Sequence, residues 1–160
     1  MEYLDVVNDK DKVVGEVSRK ELYKKLLTHR IVHVLIFNEK GELALQMRSD
    51  KMSYCPQHWP TSAGGHVQKG ESYSQAARRE LMEECGIDTE IEFMFKDKYI
   101  HKDSITKFLS IFKTLYDRSL SMKNEEVEKQ EFFSISEIKD MITRGEKMHP
   151  ELTFIIDNHF

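Results

Sequence analysis

The chain has 160 residues, of which 39% are hydrophobic and 32% charged, and its formal net charge is -4. A chain of this length and composition can bury a core, and we expect one globular domain spanning residues 1–160. The acidic balance and the lack of a long lysine or arginine block weigh against a dedicated nucleic-acid or membrane surface and favour a small-molecule partner.

The N-terminal third reads as short strands and one short helix. The stretch YLDVVNDKDKVVGEV predicts a β-hairpin around an Asn/Asp/Lys turn. The stretch SRKELYKKLLTH predicts a helix, because Ser18 and Glu21 have the spacing of a capping box. The runs IVHVLIF and ELALQMRS, joined by NEKG, predict two paired strands.

A loop and a helix follow. The segment DKMSYCPQHWPTS contains two prolines and the only tryptophan, and it predicts an ordered loop. A helix is predicted from Tyr73 to Cys85, because Ser72 and Gln75 form a capping box and Gly86 can end the helix in a left-handed conformation.

The C-terminal part alternates again. The runs EIEFMFKDKYI, ITKFLSIFKTLYD and VEKQEFFS predict strands, ISEIKDMITRG predicts a helix that stops at Gly145, and ELTFIIDNHF predicts a short helix after Pro150. Strands interspersed with helices indicate an α/β fold with a mixed β-sheet between helices.

The helix from Tyr73 to Cys85 carries an unusual acidic face. At about 100° per residue, Glu80, Glu83 and Glu84 share one arc roughly 100° wide, beside a separate apolar stripe. Isolated glutamate pairs are usually solvated. Here Arg79 can reach both Glu83 and Glu71, and the remaining carboxylates favour a hard divalent cation that also contacts phosphate oxygens.

These residues carry a resemblance to a known family. From Gly65, five residues lead to Glu71, seven more lead to Arg79-Glu80-Leu81, and Glu83-Glu84 and Gly86-Ile87 each follow after one residue. This spacing resembles the signature of the Nudix hydrolases. The resemblance implies a Nudix-type α/β/α sandwich over residues 31–140, with a hairpin and short helix at 1–30 and a helical tail at 141–160.

The resemblance also implies a chemistry. Nudix hydrolases typically cleave a diphosphate linkage with Mg²⁺ or Mn²⁺, so we expect a small-molecule diphosphate substrate such as a nucleoside diphosphate derivative. The resemblance implies that Glu80, Glu84 and Glu83 are metal ligands and that the Gly65 carbonyl is a candidate further ligand. It also implies that Glu83 and Glu80 are catalytic groups. Glu71 and Arg79 would form a structural clamp. Which glutamate is the general base stays open.

A narrower resemblance suggests a competing function. FNEKGELALQMRS and HWPTSAGGHVQKGES resemble the branch that includes isopentenyl-diphosphate isomerases, in which a catalytic cysteine precedes a Gly-His pair. This chain has Gly64 there, and Cys55 is assigned no role. His29 and His66 resemble isomerase metal-site positions, but YIHKDSITKFLSIF lacks the accompanying carboxylate pair. Hydrolysis is favoured, with double-bond isomerisation and a non-catalytic nucleotide-sensing module as alternatives.

Other residues support weaker expectations. His33 is interpreted as a surface or satisfied histidine, and Trp59 and Tyr54 as packing residues that could alternatively line a substrate pocket. The glutamates at 125, 126 and 128 are interpreted as a solvated loop. Two cysteines without CxxC spacing and an N-terminus without a signal pattern predict a cytoplasmic protein. The N-terminal hairpin is a candidate dimer or lid element, and substrate identity stays open.

Overall fold

The computed structural model describes residues 2–52, 54–116 and 127–160, which contain eight strands and four helices. In chain order these elements are β1 (Tyr3–Val7), β2 (Val13–Ser18), α1 (Arg19–Lys24), β3 (His29–Phe37), β4 (Leu43–Arg48), β5 (Ala63–His66), α2 (Tyr73–Cys85), β6 (Glu92–Ile100), β7 (Thr106–Leu115), β8 (Val127–Phe133), α3 (Ile135–Thr143) and α4 (Pro150–His159).

A six-stranded mixed sheet forms the centre. Its strand order is β6-β7-β3-β4-β8, and β5 also pairs with β3. Strands β3 and β7 run parallel, with His29 opposite Lys107, whereas the other pairs are antiparallel. The predicted pairing of β3 with β4 is present but is limited to Phe37 opposite Leu43, because β5 pairs with β3 over residues 31–34.

Helices cover both faces of this sheet, and β3 shows how. Its odd-numbered residues Ile31 and Leu35 belong to a core cluster shared with α3 and α4, whereas Val32 and Val34 belong to a second cluster shared with α2. This alternation is the period of two expected for a strand buried on both faces. The structure therefore confirms the predicted α/β/α sandwich.

Most predicted elements are present, with differences at their ends. Helix α1 is shorter than predicted, because Lys25 caps it and Leu26 takes a positive φ of 51°. Strand β5 was not predicted. Helix α3 ends at Thr143, shortly before Gly145 with its φ of 78°. The glutamates at 125, 126 and 128 lie outside the part of the chain whose side chains are described.

The β1–β2 hairpin is fixed to the rest of the chain through one buried carboxylate. Asp11 accepts hydrogen bonds from Arg30 Nε at 2.7 Å, from the Tyr73 hydroxyl at 2.8 Å and from Lys96 Nζ at 2.8 Å. Burial alone would raise the pKa of Asp11, but the bonds from Lys96 and Arg30 lower it below its usual value. The hairpin is thus tied to β3, α2 and β6 together. None of the helices in the described ranges is both long and apolar enough to cross a membrane.

Candidate active site

Helix α2 presents its acidic face to a cavity because its other face is buried. The Ser72 side chain accepts the Gln75 N–H, the Gln75 side chain completes the capping box, and Gly86 ends the helix with a φ of 68°. The side chains that pack against the sheet recur at helical spacing and are fully buried: Ala76, Ala77, Leu81 and Cys85. Residues on the adjoining arc, Glu80 and Glu84, therefore face the cavity.

The carboxyl groups of Glu80 and Glu84 line the same cavity and lie close enough for each to affect the pKa of the other. Partial burial and the neighbouring Glu80 raise the pKa of Glu84 well above its usual value. Partial burial also raises the pKa of Glu80, although Arg79 partly offsets the effect. Two half-buried acids this close favour a positive charge between them, which a proton or a metal cation can supply.

Gly65 of β5 lies directly against Glu80. A Cβ atom at this position would overlap Glu80 Oε1 and would lie 2.5 Å from Cδ and 2.9 Å from Oε2. The preceding Gly64 lines the same cavity as Glu84. The lack of a side chain at Gly65 lets the loop backbone approach Glu80 closely.

Arg79 connects the glycine loop to the helix. Its Nε and Nη2 atoms donate to the two carboxylate oxygens of Glu71 at 2.7 and 2.9 Å, which is a bidentate pair. Its Nη1 donates to Glu80 at 2.8 Å, and its Nη2 also donates to the His66 carbonyl at 3.0 Å. The hydrogen bonds that Arg79 donates to Glu71 and Glu80 hold its pKa above the usual value.

Glu83 lies apart from Glu80 and Glu84. Its side chain is 58% exposed, and Arg79 Nη1 lies 3.3 Å from its Oε2. Across residues 2–52, 54–116 and 127–160, no three His, Cys, Asp or Glu side chains converge closely enough to hold a metal ion. The structure thus brings Glu80, Glu84 and Gly65 together and leaves Glu83 at the cavity rim.

The cavity in front of α2 has a volume of about 420 Å³. Its wall combines the acidic face and the glycines with further polar and charged side chains that were not predicted to line a cavity. These additional lining residues include Arg19, Arg48, Lys107, His149 and Glu151.

Glu151 forms the centre of a buried polar cluster in this wall. It accepts hydrogen bonds from His33 Nε2 at 2.8 Å and from Lys107 Nζ at 2.9 Å, and His33 Nδ1 lies 2.7 Å from the Thr61 hydroxyl. Burial would raise the pKa of Glu151, but His33 and Lys107 hold it far below its usual range. His33 is therefore a buried and satisfied histidine. Glu151 and Lys107 were not predicted as site residues, because both lie far along the chain from the motif at residues 65–87.

The two aromatic residues of the loop before β5 have different roles. Tyr54 lines the cavity and meets the His149 ring edge to face, with centroids 5.6 Å apart. Trp59 is buried and packs against Phe133 at 5.3 Å, so it belongs to the core. The packing interpretation therefore holds for Trp59, and the pocket interpretation holds for Tyr54.

Four residues bear on the isomerase alternative, namely His29, His66, Gly64 and Cys55. The His29 and His66 rings stack at 5.4 Å, and burial lowers their pKa values to about 4 and about 3. A Cβ atom at Gly64 would lie 2.7 Å from the Val32 carbonyl oxygen, so this backbone does not accommodate a cysteine there. Cys55 is not among the residues that line the cavity.

The fold and the site correspond to known proteins. The NUDIX domain model matches residues 27–153. An uncharacterized Nudix hydrolase of Listeria monocytogenes is 32% identical over 148 residues, covering 91% of this chain and 88% of that protein. One of Pseudomonas aeruginosa is 32% identical over 126 residues, covering 79% of this chain and 75% of that protein.

Solved structures share the architecture. The crystal structure of DR0079 from Deinococcus radiodurans superposes with a TM-score of 0.89 at 24% identity and covers 99% of both chains. A MutT protein from Methanosarcina mazei gives 0.69 at 22% identity, covering 81% of this chain and 91% of that chain. The chain belongs to the Nudix family. It is a hydrolase, and hydrolysis of a pyrophosphate bond is the general activity that the family and fold support.

Proposed function

We propose that this chain hydrolyses a diphosphate linkage in a nucleoside diphosphate derivative or a similar small molecule, assisted by Mg²⁺ or Mn²⁺. The observation that carries the proposal is the pair of neighbouring, half-buried carboxyl groups of Glu80 and Glu84, whose pKa values are raised. Bringing two acids together away from water is unfavourable unless a positive charge joins them. A divalent cation held by Glu80 and Glu84 would supply that charge.

The donors of the site fit a hard divalent cation. Glu80 and Glu84 are the proposed principal ligands, with Glu83 and the Gly65 carbonyl as additional ones. Carboxylate and carbonyl oxygens are the ligands that Mg²⁺ and Mn²⁺ prefer. A bound ion would neutralise charge on the phosphate oxygens and lower the pKa of an attacking water.

The remaining steps fall to side chains of this chain. Water attacks phosphorus, a new P–O bond forms, the bond from that phosphorus to the bridging oxygen breaks, and a carboxylate takes a proton from the water. We assign the role of proton acceptor to Glu83, because its carboxylate is exposed at the cavity rim, apart from Glu80 and Glu84. Glu80 is the alternative acceptor. Arg79 orients Glu80 through their 2.8 Å contact.

The cationic wall supports an anionic substrate. Lys107 lines the cavity and is fixed by Glu151. Arg48 also lines the cavity, and its Nε donates to the Tyr54 carbonyl at 3.1 Å. Positioned cations in a partly enclosed site stabilise phosphate charge more strongly than they would in water.

Replacing Glu84 by glutamine tests the proposal. Because the change removes a ligand charge without opening a core cavity, we expect Mg²⁺-dependent turnover to fall by about 10³-fold or more while the melting temperature stays close to that of the wild type. The matched control is Glu90→Gln, at a side chain that is 94% exposed. Product release is measured over a panel of nucleoside diphosphate derivatives at fixed Mg²⁺.

The alternatives predict other outcomes of the same assay. Near wild-type activity in Glu84→Gln would remove that residue from the site. Complete inactivity of the wild type, combined with tight binding of one panel member, would favour the nucleotide-sensing module. The isomerase alternative has less support, because Gly64 leaves no space for the cysteine. A cytoplasmic location remains part of the proposal and agrees with the free thiols of Cys55 and Cys85.

A further inference from the structure

The N-terminal segment contributes side chains to the active-site cavity. Arg19 and Tyr23 of α1 and Glu2 line the cavity together with Gly65 and His66 of β5. The match to the NUDIX domain begins only at residue 27. These three side chains are thus contributed by a part of the chain that precedes the shared family core.

Tyr23 docks this segment onto the glycine loop. The Tyr23 hydroxyl lies 2.5 Å from His66 Nε2, within hydrogen-bonding distance. The His66 carbonyl in turn accepts Arg79 Nη2 at 3.0 Å. Helix α1 is therefore connected through one residue to the arginine that orients Glu80.

The cations of the cavity differ in how far their charge is already used. Arg79 is bound to carboxylates on α2 and in the glycine loop, and Lys107 is bound to Glu151. Arg19 is exposed, and within the described part of the chain no hydrogen bond or ion pair engages its guanidinium. Arg48, the fourth cation, donates from its Nε to the Tyr54 carbonyl at 3.1 Å. Of these four cavity cations, Arg19 alone retains its full set of donors for a ligand among the described residues.

We propose that Arg19 binds a phosphate group of the substrate, so that the N-terminal segment completes the substrate-binding site. The proposal rests on the diphosphate hydrolase function proposed above. Arg19 and Lys107 line the same cavity as Tyr23 and His66. A guanidinium presents paired N–H donors that match two phosphate oxygens, whereas Lys107 acts as a point charge.

The test compares Arg19→Ala with Lys20→Ala. Lys20 is the adjacent exposed cation, does not line the cavity, and gives the same change in net charge. The probe is methylenediphosphonate, a diphosphate analogue that cannot be hydrolysed at its bridge, titrated by calorimetry at fixed Mg²⁺. A charge-assisted pair at a partly exposed site predicts that Arg19→Ala weakens the Kd about tenfold and that Arg19→Lys has an intermediate effect.

Kinetics provide the second measurement. We expect Arg19→Ala to raise KM by a similar factor while kcat stays within about twofold, because the contact exists before and during the reaction. For Lys20→Ala, Kd and KM should stay within about twofold of the wild type. Equal melting temperatures of all variants would show that the fold is intact, as expected for an exposed side chain.

The outcomes separate this inference from the proposed function. If the wild type cleaves diphosphates and Arg19→Ala behaves like Lys20→Ala, the Arg19 assignment is wrong and the hydrolase function stands. If the wild type cleaves none of the panel but Arg19→Ala still weakens diphosphonate binding, the function is wrong and the Arg19 assignment stands. A wild type that neither cleaves diphosphates nor binds the diphosphonate overturns both.

Discussion

Replacing Gly65 by alanine would test whether the close approach of the glycine loop to α2 creates the active site. The added Cβ would overlap Glu80 Oε1 and would lie 2.5 Å from its Cδ. An ordinary contact between such atoms is about 3.5 Å, so the carboxyl group has to retreat by about 1 Å. Because it ends a flexible side chain, we expect it to move before the backbone does. The expected loss of stability is therefore about 1 kcal/mol, at the low end for overpacking.

The expected effect on catalysis is much larger. Displacing a catalytic group by about 1 Å can reduce the rate about 10²-fold, which corresponds to about 2.7 kcal/mol in activation free energy. The displaced carboxyl group also separates from Glu84, so we expect a higher Mg²⁺ concentration to be required for half-maximal activity. Loss of activity should thus greatly exceed the loss of folding stability.

The assay combines steady-state turnover, an Mg²⁺ titration of activity and thermal melting. The matched control is Gly15→Ala in β2, where no atom lies within 4 Å of the added Cβ, and it should leave turnover and Mg²⁺ dependence unchanged. If Gly65→Ala retained the turnover and Mg²⁺ dependence of the wild type, the close contact between Gly65 and Glu80 would have no catalytic role.

Two further predictions concern stability. Arg79→Ala should lower the unfolding free energy by about 2–3 kcal/mol and also reduce activity, because it leaves the partly buried Glu71 without its partner. The control Arg78→Ala, at an exposed side chain, should change stability by less than about 0.5 kcal/mol. Equal melting temperatures of both variants would contradict the clamp. Each buried histidine should also lower stability by about 1.4 kcal/mol per pH unit as the pH decreases from about 6.5 towards 4, because its ring binds fewer protons in the folded than in the unfolded state. The raised pKa values of Glu84 and Glu80 act in the opposite direction. Urea midpoints of the Glu84→Gln variant between pH 7.5 and 5 measure the histidine effect with the larger opposing contribution removed, and a flat profile would contradict it. The histidines concerned have pKa values lowered by burial to about 4, about 3 and about 4: His29, His66 and His149.

Elements with local signals could be predicted from the sequence. Helix α2 begins and ends where Ser72 and Gly86 indicate, because a cap depends on residues within a few positions of each other. Strand β5 was missed for the opposite reason. Its four residues, AGGH, have little side-chain pattern, and they form a strand only because β3 offers a partner from another part of the chain.

The site likewise contains contacts that a local sequence signal predicts and contacts that it does not. The proximity of Glu80 and Glu84 follows from their i, i+4 spacing, and the sequence places Glu71 within reach of Arg79. The cluster around Glu151 has no such signal, since its partners Lys107 and His33 lie 44 and 118 residues away along the chain. Only the parallel pairing of β3 with β7 and the packing of α4 bring these groups to one wall.

The buried carboxylate of Asp11 has a consequence for biosynthesis. Lys96 follows it by 85 residues, so at about 5–20 residues per second roughly 4 to 17 seconds pass on the ribosome before both partners exist. During that interval the nascent hairpin lacks one of the partners that hold Asp11, and an isolated two-stranded ribbon is only marginally stable in water. The first part of the chain to be translated therefore acquires its full set of contacts only after β6 has been made.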